Sequence, residues 1–222
     1  MTSDQIASPL ADQAQDLLRA DILACRLLPG ATLSELALTT RIGLGRAPVR
    51  AALARLAEEG LVEAIPRRGW VVTVITMRDI HEVFDLRLIL EAEAARRAAE
   101  AVRGGAVDPD RLRALHELAE MPQSVAAMRR LHVGVAEIGG NRRLARQVGR
   151  LIDESVRMMA LGRPHGARAA AEHSNRALLA ALSEGDGPEA AAIRCEAIAA
   201  ERAEVLAALS GPASPLVVSP HG

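Results

Sequence analysis

The chain has 222 residues, 50% of them apolar and 25% charged, with a formal net charge of −1. That length supports one large domain or two small ones, and the near-zero charge excludes a general polycation, so any nucleic-acid surface must be a local patch. The only aromatic residues are Phe84 and Trp70, too few for the stacking platforms of single-strand and RNA binders.

In chain order, a first helix is expected from about Leu10 to Cys25, with Leu17, Leu18, Ile22 and Leu23 on one stripe. LLPG (27–30) ends it as a turn signal. Ser34 is placed to N-cap a short helix from Glu35 to about Arg41. GLG (43–45) is a tight turn, and a third helix follows from Ala47 to Glu59 with Val49, Leu53 and Leu56 inward. Pro48 suits its first turn and Gly60 its end. LVEAIP and GWVVTVI then alternate as two strands joined by PRRG. The order is that of a winged helix-turn-helix with a two-stranded wing.

After Ile75 the pattern is helical throughout. Thr76-Met-Arg-Asp79 resembles a capping box opening a long helix to about Val102. Further helices are expected over about 108–120, 124–138, 142–161, 167–183 and 189–209, broken at RGGAV, GGN, GRPHG and GDGP. The fold class is therefore mainly α: residues 1–75 form the winged domain, 76–210 a bundle of about six helices, and 211–222 a disordered tail. Cys25 and Cys195 show no spacing motif and are expected reduced. No apolar run reaches the roughly 18 residues of a membrane span, and MTSDQIASPLADQ lacks the basic start and apolar centre of a signal peptide. A soluble, cytoplasmic protein is expected.

A recognition helix enters the major groove with its N-terminal residues nearest the bases; here those are Arg46, Ala47 and Arg50. Arginine pairs bidentately with guanine, worth about 1–3 kcal/mol of discrimination, and Arg46 and Arg50 lie four apart on one face. Arg67, Arg68 and Gly69 form a wing tip able to reach phosphates or a minor groove. Between residues 41 and 70, six arginines (41, 46, 50, 55, 67, 68) oppose three glutamates (58, 59, 63), a local +3. All 27 basic residues are arginine, so composition alone explains some of them as a solvated face; it does not explain helix, turn, helix and wing in order.

The run LRADILACRLLPGATLSELALTTRIGLGRAPVRAALARLAEEGLVEAIPRRGWVV (18–72) resembles the GntR family of bacterial transcription regulators. EVFDLRLILEAEAARRAA (82–99) and LHVGVAEIGGNRRL (131–144) are similar to the FadR-type (FCD) ligand-binding domain. The family's Ser-Arg-Thr before the proline is here Gly45-Arg46-Ala47, and Ala51 stands where Glu follows the second arginine. Two hydroxyls that touch phosphates are thus missing, which shifts weight onto Arg67 and Arg68. The resemblance implies DNA contacts at Ser34, Arg41, Gly45, Arg46, Ala47, Pro48, Arg50, Arg67, Arg68 and Gly69.

The resemblance also implies a divalent metal held by one Asp and three His. His132 matches the first His, but Met128 stands where the Asp is expected. Apolar residues at +3, +4 and +7 put Asn175, followed by Leu178, Leu179 and Leu182, in the second His position, turning His173 roughly 200° away. Ala197 and Ile198 occupy the last. No cofactor is therefore expected, unless His173, Cys195 or Glu196 rebuild the site. A pocket of Arg87, Met128, His132 and Asn175 is expected to take the effector directly; otherwise Arg87 makes a helix-surface pair with Glu91, and His132 is a hydrogen-bonded core residue.

These readings give a homodimeric DNA-binding regulator, a repressor, on a two-fold symmetric operator, controlled by a small-molecule effector that is an organic acid. The alternative is a constitutive regulator with a degenerate pocket. No nucleophilic triad, phosphate loop or cysteine pair supports an enzyme, and no membrane partner is expected.

Overall fold

Apolar residues at Ala11, Ala14, Leu18 and Ile22 recur every three or four positions, and the structure, a computed structural model, buries all four along α1 (Pro9–Leu23). Residues 9–67, 69–120, 124–162 and 168–210 are described. Arg68, the GRPHG break beyond Gly162 and the tail from 211 lie outside them. Leu17, expected on the buried stripe, is 42% exposed, because the stripe runs through the small alanines at its N-terminal end.

The chain divides into two compact units between Thr76 and Met77. In the first, α1 is followed by β1 (Thr32–Leu33), α2 (Glu35–Ile42), α3 (Arg46–Glu58), β2 (Val62–Ile65) and β3 (Gly69–Val72). Gly43, at φ 70°, closes α2, with its N–H on Thr39 O. α3 packs Val49, Ala52, Leu53 and Leu56 inward and runs against α1.

The expected two-stranded wing is a three-stranded antiparallel sheet in the order β1-β3-β2. Thr32 pairs with Val71 and Leu33 with Trp70, while Val62, Glu63, Ala64 and Ile65 pair with Val72, Val71, Trp70 and Gly69. β1 has two residues, too short for alternation to reveal. The β2–β3 turn places Arg67 in the left-handed region at φ 64°, followed by Gly69 at φ 84°.

The second unit contains, among the described residues, six helices: α4 (Met77–Arg103), α5 (Pro109–Glu120), α6 (Val125–Ile138), α7 (Arg142–Gly162), α8 (Arg168–Glu184) and α9 (Gly187–Leu209). The last begins earlier than expected because Asp186 accepts from Glu189 N (3.0 Å) and so caps a helix that includes Pro188. α4 is central and packs against α6, α7, α8 and α9. Its small residues Ala95, Ala98 and Ala99 meet Leu131, Val135, Leu178, Leu179 and Leu182 in the core. A Cβ on Gly134 of α6 would lie 2.6 Å from Leu115 Cδ2, so glycine sets the α5–α6 approach. No described helix is long and apolar enough to cross a membrane.

Candidate functional site

In the first unit, α3 begins with Gly45 at its N-cap and exposes Arg46, Ala47 and Arg50 along its first turns. Pro48 is half-buried among them. Ser34 sits at the α2 N-cap in extended conformation, but its hydroxyl makes no capping bond, so the expected cap is positional only. Arg67 is exposed at the wing tip beside Gly69.

The local +3 expected from residues 41–70 is reduced in three dimensions. Arg41 Nε donates to Asp21 at 2.6 Å, Arg55 Nη1 to Asp12 at 2.6 Å, and Arg50 Nη2 to Glu35 at 2.8 Å. The acidic partners belong to α1 and α2, outside the counted window. Burial pushes the Asp21 carboxyl up, but Arg41 and Arg26 outweigh it and hold it below its ordinary value. Arg41 and Arg55 are thereby tied to α1. Arg46 and Arg67 form no ion pair among the described residues and remain the readily available cations of this face.

In the second unit, the expected effector residues divide. Arg87 is 0% exposed, so it is neither a surface pair nor a pocket wall. Its Nε donates to Glu91 Oε1 (2.6 Å) and its Nη1 to Glu201 Oε2 (2.7 Å), while its guanidinium lies 5.1 Å from the Phe84 ring centre. Arg87 Nη2 is buried without a hydrogen-bond partner among the described residues. From α9, Arg194 Nε and Nη2 donate to Glu91 Oε2 at 2.9 and 2.7 Å. Glu91 therefore bridges two guanidiniums. Burial raises its pKa, but Arg194 and Arg87 more than reverse this and pull it down to about 2.

His132 is buried beside this cluster. Burial foremost, then Arg194 and Arg87 against the opposing pull of Glu91, hold its pKa down at about 3, so the imidazole stays neutral. A cavity lined by Glu91, Ala94, Ala95, His132, Val135, Leu178 and Arg194 leaves about 10 Å³ for the centre of a water, room for about one molecule. Of the four expected effector residues, only His132 lines it. Met128 is half-buried and Asn175 fully buried outside that lining, while His173 is exposed, as the α8 periodicity requires.

A divalent ion does not fit these side chains. The lining supplies one imidazole and one carboxylate already bonded to two guanidiniums, and Arg194 itself faces the space. Such an ion would face the Arg194 guanidinium with too few free donors, since the carboxylate is already engaged. His173 and Glu196 are exposed and Cys195 half-buried, and no group of three potential ligands converges among the described residues. Sequence reasoning did not single out Arg194 and Glu201, which lie seven apart on α9 and reach α4 only through tertiary packing.

The model for the bacterial regulatory proteins of the gntR family matches residues 10–72, and that for the FCD domain matches residues 82–200. The chain belongs to the GntR family. It is 30% identical over 192 residues to a probable D-xylose utilization operon transcriptional repressor of Paenarthrobacter nicotinovorans, covering 82% of each chain. It is 38% identical over 94 residues to the HTH-type transcriptional repressor RspR of Escherichia coli K12, a match to 42% of this chain and 41% of that repressor. In fold it resembles E. coli McbR/YncC (TM-score 0.76, 21% identity, covering 90% of this chain and 98% of that one). A Rhodococcus sp. RHA1 structure described as a putative transcriptional regulator GntR is also similar (TM-score 0.71, 22% identity, 90% and 99%). This membership places the chain among bacterial regulatory proteins.

Proposed function

We propose that this GntR-family chain is a cytoplasmic, homodimeric transcriptional repressor that reads a two-fold symmetric DNA operator and is controlled by an organic acid in its helical unit. The observation that carries the DNA reading is the exposed N-terminal turn of α3, presenting Arg46, Ala47 and Arg50 next to a wing tipped by Arg67. A helix so presented suits the major groove, and the wing arginine suits phosphate or minor groove. Two copies related by two-fold symmetry would read half-sites about one helical turn apart.

The effector reading rests on the buried cluster. The cavity holds about one water, so an organic acid cannot enter it unchanged. Its carboxylate would have to take Arg194 from Glu91, which breaks a buried link between α4 and α9. Ligand binding is then coupled to a change in helix packing, and any conformer that favours it shifts the population competent for the operator.

The DNA reading is tested by incubating the full chain with sheared DNA from its source genome and sequencing what is retained. A shared two-fold symmetric sequence upstream of coding regions is expected. Retention without sequence preference would contradict the proposal.

A further inference from the structure

We propose that Glu35 is a specificity-determining positioning residue: it clamps one edge of the Arg50 guanidinium and leaves the opposite, end-on edge to pair with a guanine. The inference rests on the DNA-binding reading above. Arg50 Nε lies 3.0 and 3.2 Å from Glu35 Oε1 and Oε2, and Nη2 lies 2.8 Å from Oε2. That fork consumes the edge formed by Nε–H and the adjacent Nη2–H. The guanidinium is planar with five N–H donors, so the second Nη2–H and the two of Nη1 remain. One N–H on each of Nη1 and Nη2 points outward along the side chain, the direction of bidentate approach to guanine O6 and N7.

The clamp is itself anchored. Leu33 of β1 pairs with Trp70 of β3, which brings Glu35, two residues further on, against the indole. Glu35 is held as an anion mainly by the Arg50 hydrogen bond, against a burial penalty, with smaller help from the nearby Trp70 and Arg46 side chains. A short strand, an indole and a carboxylate thus fix the orientation of a side chain that is otherwise 69% exposed. Arg46, one turn earlier on α3, is near enough to Glu35 to stabilise its charge but makes no hydrogen bond to a carboxylate among the described residues. The two arginines therefore differ in kind: Arg50 is preorganised for one base edge, and Arg46 adapts to base or phosphate.

The carboxylate has a second consequence. It stands where DNA phosphates approach, so it repels non-specific duplex and ties up a cation that would otherwise bind phosphate. Removing it frees Arg50 for the backbone. Discrimination then falls while non-specific affinity rises, a pair of opposite changes that loss of folding cannot produce.

The test uses the full chain with Glu35→Gln, Glu35→Ala and Arg50→Ala, each put through selection from a randomised duplex library. Anisotropy titrations then follow on the wild-type-selected duplex and on a scrambled one over a range of salt. Wild type is expected to select a guanine in each half-site that Arg50→Ala no longer requires. Both Glu35 variants should lose preference at that same position and keep it elsewhere. Their ratio of selected to scrambled affinity should fall about tenfold, with tighter scrambled binding and a salt dependence steeper by about one phosphate contact. Glu35→Gln preserves side-chain shape and decides the matter should the alanine variant fold poorly. An unchanged base preference in Glu35→Gln, or weaker binding to both duplexes, would overturn the clamp while leaving the DNA reading intact. A wild type that selects no sequence would overturn the DNA reading, and the clamp with it.

Discussion

Replacing Glu91 by alanine would remove the acceptor from Arg87 Nε and from Arg194 Nε and Nη2 together. Arg87 is 0% and Arg194 2% exposed, so both guanidiniums would be left buried, with only the small space beside Glu91 to admit water in place of the carboxylate. Breaking a buried ion pair from one side costs about 3–5 kcal/mol. At roughly 3–5 °C per kcal/mol for a unit of this size, the melting midpoint of the helical unit should fall by about 10–20 °C. Far-ultraviolet circular dichroism on the full chain reads this directly. The double variant Glu91→Leu, Arg194→Met leaves Arg87 paired with Glu201 and replaces the remaining charges by apolar groups, so it should recover at least half of the loss. Acetate, which carries the deleted carboxylate, should raise the midpoint of Glu91→Ala and leave wild type unchanged. A shift below about 3 °C in the single variant, or a double variant no more stable than the single, would mean that Glu91 does not hold the two guanidiniums in the core.

Acid should destabilise the helical unit in two stages. The folded pKa of His132 is held near 3 against an ordinary 6.5, so the unfolded chain protonates first: stability is full above about pH 6.5 and falls by about 1.4 kcal/mol per unit below it. Glu91, held near 2 against 4.5, adds a further loss from about pH 4.5 downward. Denaturant unfolding of His132→Gln across pH should show a flattened limb between about 6.5 and 4.5, and an unchanged slope would contradict the assignment. On DNA, Arg46→Ala should abolish specific binding with the fold intact, and Arg68→Ala should weaken binding to every duplex and lower the salt slope by about one, both read by anisotropy. Protein purified without an affinity tag should carry less than one metal ion per chain and gain no thermal stability from zinc or nickel. A tightly held ion lost in His132→Ala would show that His132 is a metal ligand.

Much of the fold was legible because it is local. Gly43, Gly60 and the Gly140–Asn141 turn punctuate the helices where the structure ends them, and the 3.6-residue apolar period survives in α4 through α8; α1 stops at Leu23, short of the expected Cys25 and of Pro29-Gly30, because Cys25 turns into the left-handed region at φ 51°. β1 was not legible, since two residues carry no period and the strand exists only through its pairing with β3. The same difference governs the sites. Arg46 and Arg50 follow from their place on one helix, and Asn175 facing inward with His173 outward follows from the leucines beside them. The partners that decide what those residues do, Glu35 for Arg50 and Glu91, Arg194 and Glu201 for Arg87, come together through tertiary contact. Counting charge along residues 41–70 therefore overstated the basic patch, and reading Arg87 with Glu91 as a surface pair missed that helix α9 covers both.

Base sequence is read by the first turns of α3. The most direct measurement is the affinity of wild type and Arg46→Ala for the genome-selected duplex and for a scrambled duplex of the same length and composition, at one physiological salt concentration. Wild type should prefer the selected duplex by about a thousandfold or more, and Arg46→Ala should bind both at nearly the scrambled affinity. Equal affinity of wild type for the two duplexes, or an undiminished preference in Arg46→Ala, would contradict the account.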